Sequence, residues 1–168
     1  MMKRFISVLA LLAVLAIGIP AAAEEAYPMP DFELVDQYGR VWTLADFEGK
    51  VVFLNFWTTW CPYCVQEMPD IETLYHEYGE NTGDVLIFGI DTPDTVDSVD
   101  QAGITSFLSE NGFTYPCLMD PDFSLGNEFG IQAFPTTFII KPDGNILGYA
   151  QGMLDIDNMR RLIGMGME

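Results

Sequence analysis

The stretch that most restricts this chain is 50–64, where a run suited to a buried strand passes within a few residues into a helical pattern. Lys50-Val51-Val52-Phe53-Leu54-Asn55-Phe56 is almost continuously apolar and contains β-branched residues, which suits a strand covered on both faces. From Cys61 onward the apolar residues fall at helical spacing. Cys64, Met68, Ile71, Leu74, Tyr75 and Tyr78 share one broad face, and Gly79 and Gly83 close the segment. Between strand and helix lies Trp57-Thr58-Thr59-Trp60-Cys61-Pro62-Tyr63-Cys64. A cysteine attacks as its thiolate, and an ordinary thiol has a pKa near ~8.5. At a helix N-terminus, unsatisfied N–H groups and the positive end of the macrodipole favour the anion. Pro62 suits the first helical position because it has no N–H to lose. The spacing predicts Cys61 as the exposed nucleophile and Cys64, one turn deeper, as the buried thiol that can close a disulfide with it.

The rest of the chain alternates in the same manner. Segments 32–34 and 41–44 flank Gly39 and read as a hairpin. Residues 85–90 form a second buried strand, and 91–100 a loop and helix start, with the helix running to about 111. A short strand at 115–119, a short helix at 124–129 and a strand at 136–140 follow. Pro142-Asp143-Gly144-Asn145 then turns the chain into a strand at 146–150, and an amphipathic helix occupies 154–163. Strands alternating with helices, ending in a hairpin and a helix, predict an α/β fold: a three-layer sandwich around a central mixed sheet with an N-terminal β-hairpin. The 168 residues contain no internal repeat and are 49% hydrophobic, so one domain over 24–168 is expected.

Residues 1–23 stand apart from that domain. Lys3 and Arg4 precede an uncharged apolar run at 5–19, Pro20 ends it, and Ala21-Ala22-Ala23 suits signal peptidase. This is the pattern of a secretory signal, and it predicts a protein acting outside the cytoplasm, periplasmic or secreted. An uncleaved membrane anchor is the alternative, although 15 helical residues reach only about 22 Å across a hydrocarbon core of about 30 Å. No cysteine occurs before Cys61, which excludes a lipid-modified N-terminal cysteine. Removing the signal takes away two of seven basic residues and none of the 25 acidic ones, leaving 5 − 25 = −20. Such a charge repels phosphate backbones and argues against nucleic-acid binding. It either steers the protein toward basic surfaces or serves solubility alone.

The chain from about 32 to 163 resembles the thioredoxin superfamily, and within it the extracytoplasmic TlpA/ResA-like branch. The resemblance rests on Trp60-Cys61-Pro62-Tyr63-Cys64 after the strand and on Pro69 five residues beyond the second cysteine. It rests also on Ala133-Phe134-Pro135-Thr136-Thr137-Phe138 and on the Lys141-Pro142-Asp143-Gly144 turn. It implies a thioredoxin-like sandwich, a cis peptide bond before Pro135, and a loop at Phe134 and Pro135 that lies against the cysteines and pairs with substrate backbone. Trp60, Pro62 and Tyr63 complete that substrate-binding surface, and Phe134 is bulkier than the residue common in many relatives. The Pro62-Tyr63 dipeptide is similar to that of glutaredoxins and would tune the redox potential.

Thioredoxin carries a buried aspartate on the strand before its cysteines, where this chain has Asn55, which cannot take a proton. TlpA/ResA-like proteins have a glutamate three residues after the second cysteine, matched here by Glu67. An apolar setting would raise its pKa and let it exchange a proton with Cys64; otherwise it is a solvated helix residue. The resemblance implies dithiol–disulfide exchange with a protein substrate, commonly as a reductant in cytochrome c maturation recharged by a membrane electron-transfer partner. No cofactor and no metal are expected.

Other residues invite less. Trp57 and Trp60 either shield the cysteines or belong to the core. Cys117, in a short apolar strand, reads as a buried free thiol, and His76 as a surface residue. Asp91, Asp94, Asp97 and Asp100 lack the glycine and terminal glutamate of a calcium loop and fit a helix N-terminus better. Two rival functions remain. A thiol peroxidase finds Thr58 three residues before Cys61 but Leu54 where that chemistry needs proline. A copper(I) or zinc metallochaperone finds two thiolates but no distal histidine.

Overall fold

The computed structural model describes residues 26–91 and 100–168. The expected signal at 1–23, with Asp94 and Asp97, lies outside the described residues. Among the described residues the strands and α-helices follow one another as β1 (Glu33–Asp36), β2 (Val41–Thr43), β3 (Val51–Trp57), α1 (Pro62–Glu77), β4 (Val85–Asp91), α2 (Gln101–Glu110), β5 (Cys117–Met119), α3 (Ser124–Glu128), β6 (Thr136–Ile140), β7 (Ile146–Gln151) and α4 (Ile156–Gly166).

Seven strands form one sheet in the order β2-β1-β5-β4-β3-β6-β7. The central pairs β3–β4 and β4–β5 are parallel, and the flanking pairs are antiparallel. A parallel pair cannot be joined by a tight turn, so α1 crosses over one face between β3 and β4. β3 is buried at all seven positions, as its apolar run predicts. Its side chains alternate between two cores. Val51, Phe53 and Trp57 pack with Met68, Ile71 and Leu74 of α1, Ile104 and Leu108 of α2, and Met159 and Ile163 of α4. Val52, Leu54 and Phe56 pack on the other face with Leu125 of α3, Phe47 of a short 3-10 turn, and Trp42, Phe32 and Met29. These are the three layers of an α/β sandwich with a mixed sheet and an N-terminal hairpin.

Most element boundaries shift by one to three residues from expectation, and two of the shifts have a visible cause. The strand expected from 115 begins at Cys117. Pro116 has no N–H for a ladder, and the Gln37 side chain stands in for a neighbouring strand there. Its Nε2 donates to the Tyr115 carbonyl at 2.9 Å and its Oε1 accepts from the Cys117 N–H at 2.8 Å. The first strand extends to Asp36, whose carboxylate is buried and accepts from the Tyr38 and Arg40 N–H groups and from Trp42 Nε1. That carboxylate fixes the hairpin turn, where Gly39 takes a positive φ of 82°.

Gly89, in the middle of β4, marks a close approach. A Cβ there would stand 3.0 Å from Trp57 Nε1 and 3.1 Å from the Tyr115 ring, both fully buried. Gly89→Val is expected to lower stability by about 1–3 kcal/mol through overpacking. Urea unfolding of the disulfide-bonded protein measures it, and a near-neutral result would show that the two rings can shift.

Candidate active site

β3 ends at Trp57, and four residues later Cys61 stands as the N-cap of α1, with Pro62 at the first helical position. Cys61 and Cys64 are joined by a disulfide, their Cα atoms 5.3 Å apart. The backbone N–H of Cys64 donates to Cys61 Sγ at 3.1 Å. An orphan donor of the first turn is thereby aimed at the sulfur, where it and the macrodipole would stabilise a negative charge.

The two sulfurs differ less in exposure than the spacing suggests. Cys64 is fully buried, but Cys61 keeps only 3% of its surface, which corrects the expectation of an exposed nucleophile. As N-cap, Cys61 folds its side chain back over the first turn and onto a buried partner, within the core cluster on that face of the sheet. Its neighbours are the exposed groups. Trp60 and Tyr63 stand out into solvent, and Trp60 meets the half-buried Phe134 edge-on with ring centroids 6.1 Å apart. The Phe134–Pro135 peptide bond is cis. Trp57 is a core residue, fully buried, with its Nε1–H on Cys117 Sγ at 3.2 Å.

Glu67 lies on the buried face of α1, three residues beyond Cys64, and is 1% exposed. Residues three apart on a helix are neighbours. The carboxyl is held at both ends. Asn55 Nδ2 donates to Oε1 at 2.8 Å, and the Leu154 backbone N–H donates to Oε2 at 2.9 Å from the loop between β7 and α4. Burial pushes its pKa up to about 7; the Leu154 and Asn55 hydrogen bonds oppose that shift and Asp70 adds to it. Asn55 also donates to Thr137 Oγ1 at 3.0 Å across the β3–β6 pair. The sequence presents Asn55 only as a residue that cannot carry a proton. Its signal is that it is the one polar residue in β3 and shares the face of Phe53 and Trp57. No sequence signal marks the Leu154 N–H.

Asp100 caps α2 as its acidic run predicts, but Asp91 does not stand at a helix N-terminus and instead forms a second buried acidic site. Asp91 ends β4 opposite Trp57, is nearly buried, and has its pKa pushed up to about 7 by burial and then by Asp120. Asp120 accepts from Ser124 Oγ and from the Leu125 and Gly126 N–H groups, and so anchors α3. Cys117 is buried and free, its thiol pushed well up by burial. His76 is exposed and pairs with Glu72 and Glu80. Among the described residues no three His, Cys, Asp or Glu side chains gather as a metal site.

A disulfide within the first turn of a helix, at the C-terminal end of a central parallel strand and beside a cis-proline loop, defines a thioredoxin-like dithiol oxidoreductase. Residues 26–148 match the AhpC/TSA family. The chain is 33% identical over 132 residues to the thiol-disulfide oxidoreductase ResA of Geobacillus thermodenitrificans, covering 79% of this chain and 72% of that one. It is 38% identical over 136 residues to ResA of Oceanobacillus iheyensis, covering 77% and 66%. Among solved structures, the exposed lipoprotein thioredoxin of Streptococcus pneumoniae superposes with a TM-score of 0.70 at 27% identity, over 81% of this chain and 99% of that one. A thiol:disulfide interchange protein of Chlorobium tepidum gives 0.74 at 25% identity, over 86% and 99%. The chain belongs to the AhpC/TSA family, on its ResA-like branch of the thioredoxin superfamily, and is a thiol–disulfide oxidoreductase.

The Glu67 carboxyl gives stability a definite pH dependence. Its folded pKa of about 7 lies above the ordinary value of 4.5, so the folded state binds the proton more tightly. Stability is therefore greatest below the ordinary value and falls as pH rises toward about 7, by on the order of 3 kcal/mol. Glu67→Gln is expected to flatten this slope in the disulfide-bonded protein and to be the more stable form above pH 7. Urea unfolding at pH 5 and pH 8 checks it, with the Asp91 contribution common to both proteins.

Proposed function

We propose that this protein reduces disulfides of protein substrates outside the cytoplasm, with Cys61 as nucleophile, Cys64 as resolving thiol and Glu67 as proton acceptor for Cys64. The observation that carries this reading is the Cys64 N–H on Cys61 Sγ, with a buried carboxyl one turn beyond on the same helix. In the reduced protein that N–H stabilises the Cys61 thiolate. The thiolate attacks one sulfur of a substrate disulfide. A Cys61–substrate bond forms as the substrate bond breaks, and the second substrate sulfur leaves as a thiolate. Cys64 passes its proton to the Glu67 carboxylate and attacks Cys61 Sγ, closing the Cys61–Cys64 bond and releasing the first substrate sulfur. Two electrons move from the pair to the substrate.

Trp60, Pro62, Tyr63 and Phe134 form the surface the substrate meets, with Pro135 buried behind Phe134. Trp60 and Phe134 offer apolar edges, and the backbone at Phe134 pairs with extended substrate chain. The signal-like pattern at 1–23 supports an extracytoplasmic location, and the resemblance to the TlpA/ResA-like branch is the ground for an apocytochrome c client and recharging by a membrane electron-transfer partner.

The reduction potential of the Cys61–Cys64 couple tests the direction. Equilibration of the protein with thiol buffers is expected to give a value near the roughly −270 mV of thioredoxin, and a value near −120 mV would make the protein a disulfide donor instead. The roles of the two cysteines separate in variants. Cys64→Ser is expected to accumulate a mixed disulfide with a disulfide-containing peptide, seen by mass spectrometry, whereas Cys61→Ser forms none. Trapping by Cys61→Ser in place of Cys64→Ser would reverse the assignment.

A further inference from the structure

Glu67 must be held in place both as a carboxylate and as a carboxylic acid, and the groups around it treat the two states differently. A carboxylate only accepts hydrogen bonds, whereas the acid also carries an O–H that must donate. The Leu154 N–H on Oε2 is a fixed backbone donor, which favours the proton at Oε1. Oε1 faces Asn55, whose Nδ2 donates to it. That orientation suits the carboxylate and opposes a proton.

The amide is held from its nitrogen side alone. Both Nδ2 hydrogens are engaged, by Glu67 Oε1 and Thr137 Oγ1, but Oδ1 is buried without any hydrogen-bond partner. Nothing therefore locks the amide from its oxygen side. Half a turn about the Cβ–Cγ bond exchanges the two ends and brings Oδ1 to face Glu67 and Thr137. The Thr137 hydroxyl serves either orientation because it both donates and accepts.

We propose that Asn55 is a positioning residue for the Glu67 proton, its amide donating to the carboxylate and, turned over, accepting from the carboxylic acid, so that one side chain holds Glu67 through both halves of the exchange. Aspartate here would add a second titrating group, and an apolar residue would serve neither state. This inference rests on the reading that Glu67 exchanges a proton with Cys64. The ionisable groups that face Glu67 are Asp70 on α1, Tyr115 ahead of β5, and the Cys64 thiol once the disulfide opens; β3, β6 and the β7–α4 loop bring Asn55, Thr137 and the Leu154 N–H.

The test is NMR of the full chain in its reduced form, following the Glu67 carboxyl carbon and the Asn55 side-chain amide across pH 5–9. The Asn55 amide signals are expected to move with the same midpoint as the Glu67 carbon. In Glu67→Gln, whose amide can donate to a turned Asn55, they are expected to stay pH-independent. Asn55→Leu removes the donor to the carboxylate and is expected to raise the Glu67 midpoint by roughly one pH unit, a tenfold change in proton affinity. Asn55 signals that ignore the Glu67 midpoint in the unmodified protein overturn the proposal, whether or not the leucine variant folds. So does an unshifted midpoint in a folded Asn55→Leu. The pH profile of thiol exchange with a disulfide peptide separates the two readings. If Glu67→Gln leaves it unchanged, the proton role of Glu67 fails; if only the Asn55 results are negative, that role stands without Asn55.

Discussion

The disulfide of this protein depends on where a strand stops. β3 is buried on both faces and paired with β4 on one side and β6 on the other, which fixes where its C-terminal end lies. Helix α1 begins a few residues later with Cys61 as its cap, and the N–H of Cys64 reaches back to Cys61 Sγ. A donor held by helix geometry needs no reorganisation when a thiolate forms beside it. The crossover that lets β4 pair parallel to β3 also sends the apolar face of α1 down onto the sheet. Fold and sulfur chemistry thus rest on one junction.

Apolar packing around that junction makes each polar group within it consequential. Desolvation disfavours charge on a buried carboxyl, and hydrogen-bond donors restore it. Asp36 and Asp120 each accept from three donors and hold turns in place. Glu67 accepts from two, and burial wins, leaving its proton nearly balanced at about pH 7. A carboxyl so poised, one turn beyond a thiol, is suited to proton transfer. The residues flanking Cys61 are of the opposite kind: Trp60, Pro62, Tyr63 and Phe134 carry no charge in a chain whose formal net charge is −18. A surface of that kind offers apolar area rather than long-range attraction.

Much of this was legible in the chain itself. Continuous apolar runs at β3 and β4, the helical spacing after Cys61, the Pro142-Asp143-Gly144-Asn145 turn and the cap position of Cys61 are local signals, because each depends on neighbours within a few residues. Resemblance added the proline loop and pointed to Glu67. The near-complete burial of Cys61 was not legible, since it comes from a core cluster assembled from residues spread between Val51 and Ile163. Nor was the start of β5, which depends on a glutamine side chain from the hairpin.

The sequence by itself determined the order of elements, the helix-capping cysteine pair and the family, because strand patterning, proline at the first helical position and motif spacing are all short-range. Only the tertiary structure decided the state of Glu67. Its proton affinity depends on the absence of water, on Asn55 twelve residues before it and on the Leu154 N–H far downstream, and these meet only when β3, α1 and the loop before α4 close on one another. Desolvation is a property of a filled volume, and no local stretch of sequence contains it.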